Sequence, residues 1–312
     1  MPGKPLPSSS VLPASSFAYE SSGALGCAST VAVEISVAVA RTASLIGREW
    51  YTVAVSEIRE VREVREVAIE RVDGAGRRAE RDRVVVEEPL QLRARGAPVA
   101  TVMRTPGHDL ELVRGLLHGE GLGSPAIARA GDDAVEIDVE ASVFAGRGLL
   151  ASAACGVCGR VAIADLELRA REVAADTAID RALLARLPDA LRAAQSVFAA
   201  TGGLHAAGLF DAATGELAGV REDVGRHNAV DKLVGWALGA GLAPSSHVLF
   251  LSGRLGYELV QKAIAFGVPI VAAVSAPSSL AIELAERFNV ALAGFVRGER
   301  ANLYAHAWRV RG

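Results

Sequence analysis

Cys155 and Cys158 are separated by two residues in Ala154-Cys155-Gly156-Val157-Cys158-Gly159-Arg160. Glycine on both sides permits a tight turn and lets a bulky partner approach either sulfur. Arg160 just beyond favours thiolate over thiol, and thiolate is the reactive form. The expected chemistry is a nucleophilic sulfur that carries cargo. Structural zinc needs four ligands and this motif supplies two, with Cys27 remote and no His-x-x-x-His to complete a set. A thioredoxin-like dithiol opens a helix, which the flanking glycines disfavour. Inert buried thiols need apolar neighbours, and only Val157 offers itself.

A second concentration of chemistry is Glu222-Asp223-Val224-Gly225-Arg226-His227-Asn228-Ala229-Val230-Asp231-Lys232. Gly225, Arg226, His227 and Asn228 are expected in the first turn of a helix, where unpaired backbone N–H groups attract anions. Taken alone, Asp223 reads as an N-terminal cap and Asp231-Lys232 as a solvated pair. Ser252-Gly253-Arg254 and Arg297-Gly298-Glu299-Arg300 add guanidinium forks that suit phosphate, with glycines that allow close approach. Together these stretches point to a pocket for a large phosphate-bearing ligand. There is no Walker-type phosphate loop, and Gly74-Ala75-Gly76 precedes charge rather than a helix. His205, in Thr201-Gly202-Gly203-Leu204-His205, reads as structural before it reads as a base or ligand. His108, His118, His247 and His306 lack partners at metal-ligand spacing, and no metal site is expected.

The elements that must position these groups follow from periodicity. Residues 1–60 are expected to be disordered or extraneous, being rich in Ser, Ala, Gly and Pro. Residues 57–67 repeat Arg-Glu-Val and are expected as a short exposed helix or an irregular arm. Folded sequence is expected from about Arg83: strands over 84–90 and 97–102 with Arg95-Gly96 as turn, then a helix from Thr105-Pro106 to Gly119 or Gly121. Two more strands are expected in 132–150. A helix over 181–200, kinked or restarted at Pro188, precedes a hairpin over 204–221. Then come a helix over 225–238, strand 247–251, helix 257–266, strand 268–274, helix 278–288 and strand 290–296. That β-α-β-α-β alternation implies a parallel sheet with ligands beyond the carboxyl ends of its strands. The loops leaving those ends hold Ser252-Gly253-Arg254, Ser275-Ala276-Pro277 and Arg297-Gly298-Glu299-Arg300.

At 312 residues, two domains are expected. We place a smaller β-rich domain with one helix at 65–155, a larger one at 156–312, and the cysteine loop at their junction. Hydrophobic residues make up 51% and aromatics only 5%, so Ala, Val and Leu must fill the core. A net charge of -3 gives no whole-chain reason to bind nucleic acid or an anionic membrane. Three cysteines argue for a reducing compartment rather than a disulfide scaffold. The apolar stretch at 30–40 is far shorter than a membrane span and carries Glu34. It lacks the charged lead-in of a signal peptide, so a cytoplasmic protein is expected.

These motifs resemble one family, the FdhD-type accessory proteins that act as sulfur carriers for formate dehydrogenase. The pieces that carry the resemblance include Met103-Arg104-Thr105-Pro106, Gly119-Glu120-Gly121, Cys155-Gly156-Val157-Cys158-Gly159 and Thr201-Gly202-Gly203-Leu204-His205. Glu222 through Lys232, Ser252-Gly253-Arg254, Ser275-Ala276-Pro277 and Gly294-Phe295-Val296-Arg297-Gly298 complete them, in the family's order over residues 65–310. Gly256 stands where the family pattern leads us to expect serine, which removes one hydroxyl contact.

The resemblance implies an α/β fold (α+β overall), with a small N-terminal β-rich domain and a larger cytidine-deaminase-like α/β domain. It implies a homodimer that takes sulfur from a cysteine desulfurase. The sulfur passes to a molybdenum cofactor, the bis(molybdopterin guanine dinucleotide) form, before insertion into formate dehydrogenase apoenzyme. Cys155 would bear the persulfide, and Phe295, Val296, Arg297, Gly298, Glu299 and Arg300 would contact the cofactor. Glu222, Asp223 or Glu299 would then accept hydrogen bonds from guanine. Cys158 would deprotonate the persulfide, release it, or attack it and close a disulfide. Two rivals are a chaperone that only shields the cofactor and a zinc-dependent nucleoside deaminase. The second needs His-x-Glu and Pro-Cys-x-x-Cys, and Ala154 stands where the proline of the latter would be.

Overall fold

The computed structural model describes residues 63–74, 76–144 and 171–312. The expected extension of residues 1–60, the cysteine motif and the expected boundary at residue 155 lie outside them. Arg59–Gly312 is one compact unit.

The unit starts with a two-stranded antiparallel ribbon, β1 (Val64–Asp73) and β2 (Gly76–Val85). Folded sequence thus begins some twenty residues before the expected Arg83, and the described end of the Arg-Glu-Val repeat, from Val64 on, is strand rather than helix or arm. Charge pairing explains the outcome. Arg71 donates to Glu80 at 2.6 Å, Arg77 to Glu70 at 3.2 Å and Arg81 to Glu66 at 3.1 Å, each across the ribbon. Opposite charges and β-branched residues facing across strands favour this pairing, whereas a helix would scatter the valines around its surface.

β3 (Glu88–Ala94) and β4 (Ala97–Arg104) form the expected hairpin. Its turn residues, Arg95 and Gly96, both have positive φ, as a type I′ turn requires. α1 (Asp109–Gly119) begins later than expected, after His108 in the left-handed region. The delay has a cause. The backbone of Thr105 is held by Asp223 and Lys232, so the chain leaves β4 as a tethered link before it coils. β5 (Ile127–Arg129) and β6 (Ala134–Ile137) complete a sheet of order β4-β3-β6-β5. Among the described residues, which end at 144 here, only β6 falls within the 132–150 window expected to hold two strands. Leu90, Leu92, Val102, Leu112, Leu117, Val135 and Ile137 form the core between this sheet and α1.

β7 (Ile179–Asp180) leads into α2 (Arg181–Ala194), whose N-cap Asp180 accepts from the Ala182 amide at 2.7 Å. α2 runs through Pro188, and the break falls at Gln195 before α3 (Ser196–Thr201). Next come β8 (His205–Asp211), β9 (Leu217–Asp223), α4 (Arg226–Gly239), β10 (His247–Leu251), α5 (Tyr257–Phe266) and β11 (Ile270–Ala273). The chain continues through α6 (Ser279–Arg287), β12 (Ala291–Arg297) and β13 (Arg300–Ala305) to β14 (Val310–Arg311), which pairs with β7.

The main sheet has the order β13-β12-β11-β10-β8-β9. β10, β11 and β12 are parallel, as expected, and antiparallel strands flank them on both sides. Helices cover both faces, and separate apolar clusters fill the two sides. Strands buried on both faces read as unbroken apolar runs, as Val248–Leu251 and Ile270–Ala273 do. The α/β class expected from the sequence is the class observed: a small β-rich layer beside a larger α/β layer.

α1 and α4 join the two layers. Here the helices touch backbone to backbone, through Gly115 against Asp231 and Gly235 against Glu111. Arg221 on β9 grips Glu111 on α1 with two bonds, at 2.6 and 3.0 Å.

Candidate functional site

The three parallel strands deliver their loops to one edge, and backbone bonds zip those loops together. The Leu255 amide donates to Ala276 O at 3.0 Å, the Ser278 amide to Leu255 O at 2.9 Å, and the Phe295 amide to Ser275 O at 3.1 Å. Ser252 ties the first loop to β8, its hydroxyl accepting from the Ala206 amide at 2.8 Å and its amide donating to Ala206 O at 3.0 Å. In register, Leu251 pairs with Ala207 and His205 with Asp223. The end of β9 and the start of α4 therefore reach the same edge. Arg254, Gly225, Arg226, His227, Phe295 and Arg297, far apart in sequence, share one end of the sheet.

Asp223 sets the start of α4. It is fully buried, and its carboxylate accepts from the amides of Thr105 (3.1 Å) and Gly225 (2.8 Å), from Asn228 Nδ2 (2.9 Å) and from Lys232 Nζ (2.8 Å). Lys232 also donates to Thr105 O at 2.8 Å, and Asn228 to Met103 O at 2.8 Å. Asp223 is thus a hub rather than a simple cap. The expected solvated pair is neither solvated nor a pair: Asp231 and Lys232 are both buried, and Asp231 binds Lys262 at 2.7 Å. Glu222 is committed as well, accepting from the amides of Val197 and Phe198 at 3.0 and 2.8 Å and so capping α3. This corrects the expectation that Glu222 or Asp223 reads guanine. Glu299 stays exposed and available.

The cations divide into two sets. Arg104, Arg221 and Arg309 are spent on the fold, bonded to carboxylates or carbonyls. Among the described residues no acid pairs with Arg226 or Arg254, and Arg254 is exposed. His227 Nε2 lies 3.0 Å from Glu258, and that hydrogen bond holds the Glu258 carboxyl below its usual range. At His205, burial first, then the charges of Arg226, His227 and Arg254, push the imidazole below its ordinary value against the pull of Asp223. Sequence reasoning set His205 aside as structural, and its place at this edge shows only once β8 is paired with β10.

At the end of β12 the register slips between Gly294 and Arg297, and Phe295 sits at φ 52. A non-glycine residue in the left-handed region is strained, and bulges near sites re-aim side chains. Here the bulge leaves Phe295 37% exposed, with the Arg297 guanidinium 5.8 Å from its ring centre. Arg297, Gly298, Glu299 and Arg300 are exposed, whereas Val296 is fully buried and packs into the sheet core. The edge thus offers an aromatic face beside guanidiniums that have no acid partner among the described residues, which is a fit for a base and its phosphates.

Cys155 and Cys158 lie outside the described residues. After them the described chain resumes at residue 171, and Val173 is tied to Phe288 and Asn289, at the amino end of β12.

The family model of the FdhD/NarQ family matches residues 85–311. The chain belongs to the FdhD/NarQ family. A sulfur carrier protein FdhD of Nocardia farcinica is 43% identical over 267 residues, covering 78% of this chain and 93% of the relative. Those of Streptomyces avermitilis and Thermoplasma acidophilum are each 45% identical, covering 73% of this chain and 89% and 87% of the relatives. The fold matches the crystal structure of a putative formate dehydrogenase accessory protein from Desulfotalea psychrophila, with a TM-score of 0.66 and 24% identity. That match covers 79% of this chain and 99% of the other. In this FdhD/NarQ member the matched span takes in the cysteine motif, the Asp223 hub and every arginine loop. No helix among the described residues is long and apolar enough to cross a membrane.

Proposed function

We propose that this protein is a sulfur carrier that serves formate dehydrogenase. Cys155 receives sulfur from a cysteine desulfurase and delivers it to bis(molybdopterin guanine dinucleotide) before that cofactor enters the apoenzyme. Family membership, with relatives that are sulfur carriers, supports the carrier role. The observation that favours a phosphate-bearing client is the convergence of Arg226 and Arg254, both without acid partners among the described residues, with Phe295 on one sheet edge.

In the loading step the Cys155 thiolate attacks the terminal sulfur of the donor's persulfide. A new S–S bond forms on Cys155, the donor's S–S bond breaks, and the donor cysteine leaves as thiolate. In the release step Cys158 attacks the inner sulfur of Cys155, hydrosulfide departs, and a Cys155–Cys158 disulfide closes. The two thiols thereby supply the two electrons that reduce the transferred sulfur, and a cellular dithiol must reopen the disulfide. Arg226, Arg254, Arg297 and Arg300 hold the client's phosphates, Phe295 stacks on a guanine, and Glu299 accepts from its N–H groups. The reading includes a cytoplasmic homodimer, with the domain boundary near residue 155.

Intact-mass spectrometry after incubation with a desulfurase and cysteine tests the reading. One added sulfur is expected on the native protein and none on Cys155→Ala. Loading of that variant would overturn the site. Full function in cells without either cysteine would leave only the shielding role.

A further inference from the structure

His205 stands among the edge cations, and its backbone pairs with Asp223 at the end of β9. It opens β8 and is partly buried, and the Gly253 backbone lies against its ring, so that a Cβ there would be 3.3 Å from Nδ1. Among the described residues neither ring nitrogen has a hydrogen-bond partner. The groups acting on it are Arg226 and His227 from the first turn of α4, Arg254 from the loop after β10, and Asp223 from β9. Two of these are already engaged: His227 by Glu258, and Asp223 by Lys232, Asn228 and two backbone amides. Among the described residues His205 is thus the edge histidine whose ring nitrogens remain open.

We propose that binding of a phosphate-bearing ligand at this edge is coupled to the uptake of one proton by His205. The inference rests on the phosphate-binding reading of the same edge. With no ligand, burial and then the neighbouring guanidiniums disfavour the imidazolium, so the ring is neutral near pH 7. A phosphate placed between the arginines reverses the sign of that local field. The proton comes from solvent, settles on a ring nitrogen, and the new N–H donates to a phosphate oxygen. No bond to phosphorus forms or breaks.

The sign of the linkage follows. Ligand raises the pKa of His205, so binding tightens as pH falls from the bound pKa to the free one and levels off below it. One proton changes Kd by at most about tenfold per pH unit in that window. Histidine is suited to this because small changes in its surroundings carry it across neutral pH.

The test measures inorganic pyrophosphate binding to the full chain by calorimetry between about pH 5.5 and about 8, the range in which histidine titrates. Two buffers of different ionisation enthalpy count the protons, and His205→Gln is the comparison. Pyrophosphate's own protonation is common to both proteins and drops out of the difference. The native protein should take up as much as one proton more than the variant and show the steeper pH dependence. Equal uptake by both overturns the inference and leaves the phosphate site standing. Failure of pyrophosphate to bind the native protein overturns both. Should His205→Gln fail to fold, the His205 ring resonance of the native protein decides. Its titration midpoint must rise on saturation with pyrophosphate, and an unmoved midpoint overturns the proposal.

Discussion

The carbonyl oxygen of Glu111 lies so close to Gly235 that a Cβ on that glycine would stand 1.8 Å away; the reciprocal contact, Gly115 against Asp231 O, would be 1.9 Å. No side chain fits there without separating α1 from α4, and both obstacles are backbone. Gly235→Ala should destabilise the protein by about 3 kcal/mol or more, the upper end of overpacking costs. Denaturant unfolding checks this, and a loss below about 1 kcal/mol would show that the helices slide apart freely.

Removing the carboxylate of Asp223 leaves the buried Lys232 ammonium without its counter-charge. Asp223→Ala should cost about 3–5 kcal/mol, because an unpaired charge in the interior is far worse than a missing pair. The double variant Asp223→Ala, Lys232→Met should recover much of that loss. A double variant no more stable than the single one would mean that the backbone bonds of Asp223, not its charge, matter most.

Glu111 gives a pH signature. Burial acts to raise its carboxyl, yet the hydrogen bonds and charges of His108 and Arg221 outweigh it and hold the pKa at about 2, below its ordinary 4.5. A depressed carboxyl contributes stability that is complete above about 4.5 and disappears as pH falls toward 2. Glu111→Gln should therefore flatten the acid limb of the Tm-against-pH curve in that window and shift Tm little within it at the acid end. An acid limb unchanged in the variant would assign it to other carboxylates.

A variant at Phe295 would distinguish base recognition from phosphate recognition. Phe295→Ala should weaken binding of guanosine diphosphate by about 1–3 kcal/mol, the worth of one stacked base, roughly a 5- to 150-fold rise in Kd. Pyrophosphate binding should be unchanged. Equal weakening of both ligands would mean that the ring positions Arg297 rather than a base. Replacing Arg254 with Ala should weaken both ligands and reduce their salt dependence, since phosphate contacts carry that dependence.

The sequence made the centre of the main sheet legible and its margins opaque. β10 and α5 run over the residues expected, because an unbroken apolar run and a 3.6-residue stripe each leave one solution. β13 carries neither signal: Arg300-Ala301-Asn302-Leu303-Tyr304-Ala305 alternates only weakly and forms because β12 offers an edge. The ribbon was misread since its valines follow no helical or strand period, and the pairing of Arg71 with Glu80 becomes visible only once the turn is placed. At the edge, Arg226, His227 and Arg254 were found by residue type and loop position. The burial of Lys232 was not, because its four-carbon stem reaches Thr105, a residue 127 positions earlier. The Gly115–Asp231 approach is equally silent in a linear reading.

Asp223 holds Thr105, at the exit of the small layer, and Gly225, at the threshold of α4, with opposite oxygens of one carboxyl group. That carboxyl group couples the end of β4 to the first turn of α4, beside the bonds of Lys232 to Thr105 and of Asn228 to Met103. A shift at the end of β4 would therefore be carried to the first turn of α4, where Arg226 and His227 sit.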